Sequence, residues 1–303
     1  MLKLSVVVSC YNQRDYIAHC LDSIIAQQVN FPYEIVISDD CSTDGTRDIV
    51  DSYGSKYPEL IRVLPNTQNV GVGRNYFRAH TAATGEYVAH IDGDDIMLPG
   101  KLQRQVDVFE SNPHCNLVIH RARYFSDDRS YECDTGAFPS KEPLIFYSQA
   151  EQALWGTIAV HSAYMYRASA LKTREYPADL MEWYFAMEYL SSPGTTACFI
   201  NSVLVEYRCN ISSSAFSGSR KGRSKSYRNL IGHLMDSFTA LPERRRDIYA
   251  HAVVSILAYH LNVRTFSPSM IWFLIRNLPS LDLTRLRETL RIRHAVAPGK
   301  RIR

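Results

Sequence analysis

Tyr87-Val88-Ala89-His90-Ile91 runs straight into Asp92-Gly93-Asp94-Asp95. The first part reads as an apolar strand, and the second places three carboxylates in four residues at its carboxyl end. One acidic pair after a strand is often only a helix cap or a solvated turn. Here a second cluster repeats the arrangement: Ile35-Val36-Ile37-Ser38 runs into Asp39-Asp40-Cys41-Ser42-Thr43-Asp44-Gly45. Carboxylates packed this closely repel one another unless something neutralises them. A hard divalent cation, Mg²⁺ or Mn²⁺, does so through oxygen ligands, using one or two carboxylates and completing its shell with water and phosphate oxygens.

Working outward, strand and helix signals alternate through the first hundred residues. Strands are predicted at residues 4–9, 34–38, 61–64 and 87–91, and helices at 14–28, 46–57, 72–83 and 100–111. This βαβα order predicts an α/β fold, a mostly parallel, Rossmann-like sheet with helices on both faces. Ligands bind such sheets at the carboxyl ends of their strands, where both acidic clusters fall. Beyond residue 115 the pattern is less regular. Residues 117–119, 159–166, 197–200 and 204–207 read as strands, and 180–191 as a helix. Residues 211–226 read as a mobile loop or linker, and 227–293 as helices broken at Pro242, Pro268 and Pro279.

Composition narrows the function classes. The 303 residues are 46% hydrophobic and 21% charged, as in ordinary globular proteins. No apolar run is long enough to predict a membrane-spanning helix. The opening residues read as a strand and not as a signal peptide. Seven cysteines without Cys-x-x-Cys spacing argue against zinc and fit reduced thiols in a cytoplasmic compartment. The net charge of +3 hides an asymmetry: residues 1–217 hold 17 Lys and Arg against 26 Asp and Glu, and residues 218–303 hold 17 against 5. A basic tail on an acidic body suggests an anionic partner surface.

At this point a family resemblance becomes specific. Residues 1–110 resemble the donor-binding half of the family 2 glycosyltransferases, which have the GT-A fold. Four blocks match in order: Ser5-Val6-Val7-Val8-Ser9-Cys10-Tyr11-Asn12; residues 34–46 with the Asp-Asp-x-Ser-x-Asp-Gly-Thr pattern; Asn69-Val70-Gly71 with Arg74-Asn75; and Asp92-Gly93-Asp94-Asp95 with Pro99. The resemblance implies a nucleotide-sugar donor, with UDP favoured, and donor contacts from Ser9, Tyr11, Asn12, Asp39, Asp40, Arg74, Asp92 and Gly93. Tyr11 should pack on the base, and Asp40 should accept a hydrogen bond from it. Asp94 is expected as the principal metal ligand, assisted by Asp92 and Asp95. Arg74 either contacts the donor or is a surface residue. The family often has Pro-Thr where this chain has Ser9-Cys10, which leaves base recognition open.

The second half resembles the family more loosely. Glu182-Trp183 stands where many members carry the catalytic base of an inverting transfer, and an attacking acceptor hydroxyl must lose a proton. The alternative is a first-turn glutamate favoured by the helix dipole; Glu175 and Glu188 are further candidates. Tyr207-Arg208-Cys209-Asn210 resembles the family's Tyr-Arg-x-His segment. Arg208 either steadies the diphosphate or braces a strand end. Asn210 replaces the histidine with a neutral amide: either it makes a weaker polar contact, or a nearby histidine such as His161 substitutes. The basic stretch 212–225 either closes over the donor or links two regions.

Three divisions follow: a donor half (1–110), an acceptor half (111–217), and a basic loop with C-terminal helices (218–303). The leading expectation is an inverting transferase at the cytoplasmic face of a membrane, acting on a saccharide or lipid-linked acceptor for surface polysaccharide or glycolipid. The final helices, 270–278 and 281–293, mix apolar residues with arginines. They lie on an anionic membrane, pack on the catalytic domain or pair two subunits as a homodimer. A sugar-phosphate nucleotidyltransferase needs a Gly-rich basic turn where Cys10-Tyr11-Asn12-Gln13 stands. A nucleic-acid-binding role leaves the acidic clusters unexplained.

Overall fold

Leu4–Cys10 forms β1, every residue of it buried. Strand side chains alternate between faces: Val6 and Val8 enter one core cluster and Val7 the other. A strand buried on both sides is mostly apolar, and here only Ser5 and Ser9 depart from that. The chain continues through α1 (Ile17–Ile25), β2 (Tyr33–Asp39), α2 (Thr46–Lys56), β3 (Ile61–Leu64), α3 (Val72–Ala82), β4 (Tyr87–Asp92), β5 (Ile96–Met97) and α4 (Lys101–Ser111). The second half adds β6 (Cys115–Phe125), β7 (Glu132–Asp134), β8 (Leu144–Tyr147), α5 (Gln149–Trp155), β9 (Met165–Arg167), α6 (Glu182–Tyr189) and β10 (Thr196–Arg208). Helices α7 (Arg220–Ala240), α8 (Arg245–Val263), α9 (Pro268–Arg276) and α10 (Leu283–Val296) complete it. This computed structural model describes residues 2–172, 182–209 and 220–298, with the backbone alone at Glu182.

The strands form one mixed sheet in the order β3-β2-β1-β4-β9-β6-β10-β5, with β7 on β6 and β8 on β10. Strands β1 to β4 are parallel to one another, as expected, and the two-residue β5 runs antiparallel to β10. Helices α1, α2 and α4 cover one face, and α3, α5 and α6 the other.

Several elements differ from the sequence reading, each for a local reason. Helix α1 starts at Ile17 and not at residue 14. The N–H groups of Gln13 and Arg14 instead bond the Thr46 hydroxyl and the Asp44 carboxylate at 2.8 and 3.0 Å. Residues 159–166 are not one strand: a tight 3₁₀ turn, His161–Ala163, precedes β9. The strands expected at 197–200 and 204–207 are one strand, β10, with register shifts between Ile200 and Val205. Arg220, Lys221, Arg223 and Lys225 belong to the first turns of α7 and not to a loop. The rest of the expected loop, with Asn210, lies outside the described residues.

The C-terminal helices pack on the part of the chain that builds the sheet. Thr289 donates to Leu154 O at 3.0 Å and Gly136 N–H bonds Ala297 O at 3.0 Å, while Arg285 of α10 pairs with Asp247 of α8 at 2.5 Å. Their core takes in Trp183 and Met187 of α6.

Candidate active site

The chain runs from β1 to β2 and β3 on one side of the sheet, then returns to β4 on the other side of β1. Such a reversal opens a crevice beyond the carboxyl ends of the two central strands. Ser9 of β1 stands in register with Asp92 of β4, and Cys10 with Asp39 of β2. Ser9, Tyr11, Asn12, Asp39, Asp40, Asp92, Gly93 and Asp94 are thereby brought to one end of the sheet.

Most of these residues hold the rim together. Asn12, in the left-handed region at φ 52°, donates its N–H to Ser42 Oγ at 2.8 Å, and its side-chain oxygen accepts from Thr43 N–H at 2.9 Å. Asp39, fully buried, accepts from the Ser42 hydroxyl and from Ser42 N–H. Asp40, also buried, accepts from the N–H groups of Val70 and Gly71 at 2.7 and 2.9 Å. Its carboxylate thus fastens the start of α3, an attachment the sequence reading did not anticipate. Asn75 completes it, joining Ser38 through both ends of its amide and reaching Ser9 Oγ at 3.5 Å. Tyr11 is 46% exposed at the tip of β1, and Arg74 is exposed in the first turn of α3.

Gly93 faces inward. A β-carbon there would lie 2.5 Å from Gln13 Oε1 and 2.9 Å from both Cys10 and Ile17. The close approach it permits is to the protein's own first strand and helix, not to a ligand as the sequence reading expected.

The three carboxylates after β4 have different surroundings. Asp95 is buried; it accepts from Ser162 Oγ at 2.5 Å and from Arg208 N–H at 2.8 Å. Burial and the neighbouring carboxylates push it well above the ordinary carboxylate range. It ties the β4–β5 turn to β10, so the metal-ligand role expected of it is already taken by protein contacts. Asp92 is held by His90 Nε2 at 3.1 Å, with its side chain 37% exposed. Burial raises its pKa, the bond from His90 lowers it, and the net direction is down. Among the described residues no side chain donates a hydrogen bond to the Asp94 carboxylate. Burial and the charge of Asp92 push it up to about 7.

Arg208 braces a strand end. Its guanidinium lies 4.3 Å from the Tyr16 ring centre and 4.5 Å from that of Phe125. It donates to Asp94 O at 2.9 Å and to Asp127 at 2.6 Å.

Behind Asp92 lies a buried chain that sequence reasoning missed. His90 Nδ1 is 3.1 Å from His80 Nε2, and His80 Nδ1 is 2.7 Å from the Tyr166 hydroxyl. An ionised carboxylate can only accept, so His90 carries its proton on Nε2. A neutral His80 donates at one ring nitrogen and accepts at the other, so it links His90 to the Tyr166 hydroxyl in one chain. Burial holds His80 well below the usual histidine range. Tyr76 sits against His90 and His161, with ring centres 4.9 and 4.7 Å away, and 5.8 Å from Phe185 of α6. The only signal in the sequence was a histidine inside an otherwise apolar strand. Glu182 opens α6, three residues before Phe185; its side chain and Glu175 lie outside the described residues. Glu188 accepts from Lys172 N–H at 2.7 Å.

Residues 5–174, more than half of the sequence, match the family Glycosyl transferase family 2. The chain belongs to glycosyl transferase family 2. That membership sets aside the nucleotidyltransferase and nucleic-acid readings. TuaG of Bacillus subtilis, named for teichuronic acid biosynthesis as a glycosyltransferase, is 30% identical over 225 residues, 72% of this chain and 84% of TuaG. An uncharacterized protein of Mycobacterium tuberculosis is 39% identical over 126 residues, 41% of this chain. The family 2 chain spans about a third of that relative, 36% of its length. Among solved structures, the 1–349 fragment of S. aureus TarS in complex with UDP matches with a TM-score of 0.56 at 20% identity, covering 100% of this chain and 93% of that fragment. The mannosyltransferase PcManGT of Pyrobaculum calidifontis, solved with GDP-Man and Mn²⁺, matches at 0.56 and 16% identity, covering 97% and 84%. These likenesses establish the GT-A fold.

Proposed function

We propose that this family 2 member transfers a sugar from a nucleoside-diphosphate donor, a UDP-sugar, to an acceptor hydroxyl with inversion, in assembling a surface polysaccharide or glycolipid. The observation that carries this reading is the Asp92–Asp94 pair at the switch point between β1 and β4, beside the exposed ring of Tyr11. TuaG, TarS bound to UDP, and TarS bound to UDP-GlcNAc support the substrate class.

The donor set fits Mn²⁺ or Mg²⁺. Asp94 is partly buried, lacks a side-chain donor among the described residues, and is pushed up to about 7 when nothing neutralises it. Asp92 and Asp94 are the residues that would hold the cation, and Asp95 would brace them. When bound, such a cation supplies charge compensation to the departing diphosphate. The chain's own residues do the rest. Tyr11 offers a face for the base, and Asp39 and Asp40 keep the loops beside it in place. Arg74 is an exposed cation on the α3 side. His90 fixes one oxygen of Asp92 and leaves the other to the crevice. Glu182, at the start of the helix whose Phe185 touches Tyr76, takes the proton from the acceptor hydroxyl. Attack on the anomeric carbon from the face opposite the diphosphate inverts its configuration.

A thermal-shift screen of nucleotide sugars with Mn²⁺ tests the reading, because a ligand that binds only the folded state raises the melting temperature. A UDP-sugar should stabilise the protein in the presence of metal and not in EDTA. Stabilisation by no nucleotide sugar, or full transfer activity in EDTA, would refute it.

A further inference from the structure

Helices α8 and α9 each bury one face and leave the other bare. Val263, Met270 and Phe273 enter the C-terminal core, where Phe273 packs on Phe238 with ring centres 5.3 Å apart. On the outside, Leu261 is 76% exposed, Phe266 72%, Trp272 61% and Ile275 60%. Leu278 is exposed as well. Trp272, Ile275 and Leu278 follow a three-residue spacing, which keeps them along one side of α9 and the turn after it. Of the twelve large hydrophobic side chains exposed among the described residues, seven fall between Leu257 and Leu281. This is a concentrated patch, and scattered surface apolars would not produce it.

Charge identifies what covers it. Residues 248–281 contain no acidic residue; their charged side chains are Arg264 and Arg276, at the C-terminal ends of α8 and α9. Both are exposed, and among the described residues neither guanidinium pairs with a carboxylate. A symmetric pairing of two copies through this face would bring arginine towards arginine with no acid on the patch to compensate. Nucleic acid would satisfy the arginines but has no use for a row of leucine and isoleucine side chains. An anionic bilayer satisfies both: acyl chains take the apolar stripe, phosphates take the arginines, and a tryptophan suits the boundary between them. Among the described residues no helix is long and apolar enough to cross a membrane, so the contact lies in the plane of the interface.

We propose that the α8–α9 turn and the outer side of α9 form an insertion edge that seats the protein on an anionic membrane. The core shared with Trp183 and Met187 links this edge to α6, whose first residue is Glu182. One consequence rests on the transferase reading: an acceptor carried on lipid would meet a protein already seated on its membrane. The binding itself does not depend on that reading.

The test uses the whole protein without donor or acceptor. Trp155 and Trp183 are buried, and Trp272 is the remaining tryptophan, so a change in tryptophan emission reports on it. Vesicles containing phosphatidylglycerol should sediment the protein and shift its emission to shorter wavelength. Phosphatidylcholine vesicles should do so weakly, and high salt should reverse the binding. Phe266→Ser with Trp272→Ser, and separately Arg264→Gln with Arg276→Gln, should each weaken sedimentation about tenfold or more. All four positions are exposed, and unchanged circular dichroism and melting would show that the variants fold. No binding to anionic vesicles, or equal binding by wild type and variants, would overturn the proposal. A self-association that the Phe266/Trp272 variant abolishes, without lipid binding, would assign the face to a second copy instead. A protein that binds vesicles but responds to no nucleotide sugar would leave this edge standing and remove the transferase reading.

Discussion

Replacing Asp94 with asparagine should stabilise the metal-free protein while removing its response to metal and nucleotide. The carboxyl is pushed up to about 7 in the folded state, against 3.8 in the unfolded chain. Below 3.8 both states hold the proton and the group contributes nothing. Between the two values the folded state binds more protons, so stability falls as pH rises. Above pH 7 the full penalty is present. Three pKa units would correspond to about 4 kcal/mol. Asp94 is partly exposed, and solvent screening reduces this to on the order of 2 kcal/mol. Asparagine keeps the shape and carries no charge. Without metal and above pH 7, Asp94→Asn should therefore melt a few degrees higher than wild type, and the gap should close as pH falls towards 4. With Mn²⁺ and UDP the order should reverse. A ligand at a hundred times its dissociation constant stabilises by about 2.7 kcal/mol, and only the wild type should gain it. Scanning calorimetry in EDTA and in Mn²⁺ with UDP reads both effects. An apo variant that melts lower than wild type, or an equal ligand-induced shift in the two proteins, would refute the account of Asp94 as an unneutralised ligand.

Glu182→Gln should keep nucleotide affinity by calorimetry and lose about 10²–10⁴-fold in turnover; turnover near wild type would move the proton to another group. His90→Gln can still donate to Asp92 and should keep most of the Mn²⁺-dependent UDP affinity. His90→Leu should weaken it about tenfold, the usual effect of losing a bond behind a ligand, and equal affinities would show that the chain behind Asp92 does not orient it. Gly93→Ala must displace Gln13, Cys10 or Ile17, so it should destabilise by about 1–3 kcal/mol, measured by denaturant unfolding, and lower donor affinity by moving both neighbouring carboxylates.

The donor half was legible because its strands are buried on both faces and its motifs occupy the turns that follow them. The runs 4–9, 34–38 and 87–91 were apolar enough to read without partners, and each is extended by a residue or two in the structure. What failed was local. Strands β5 and β7 have two and three residues, too short for an alternating pattern, and β5 and β8 pair with the distant β10. Residues 159–166 looked like a strand because they are apolar and aromatic, but Ser162 turns inward to meet Asp92 N–H and the Asp95 carboxylate. That contact draws the backbone into a tight turn. The helices after 227 broke at the expected prolines, since proline opens α9 and the two short 3₁₀ turns around α8 and α9.

The site was legible as a set of residue types and not as a division of roles. Both acidic clusters were expected to face ligand, yet an aspartate at a strand end has two uses. It can accept backbone N–H groups, or it can be left bare for a cation. The choice depends on which loops arrive beside it. Asp39 receives Ser42, Asp40 receives residues 70 and 71, Asp44 receives Arg14 and Thr46, and Asp95 receives Ser162 and Arg208. These partners come from as far as 113 residues away, beyond any local pattern. The arrangement keeps a dense cluster of carboxylates foldable, because most are compensated inside the protein. It concentrates the uncompensated charge on Asp94, with Asp92 half-anchored by His90. A family motif of three acids in four residues therefore acts here as one principal ligand, one oriented assistant and one brace. The brace explains why Asp95 should tolerate substitution poorly even though it need never touch the donor.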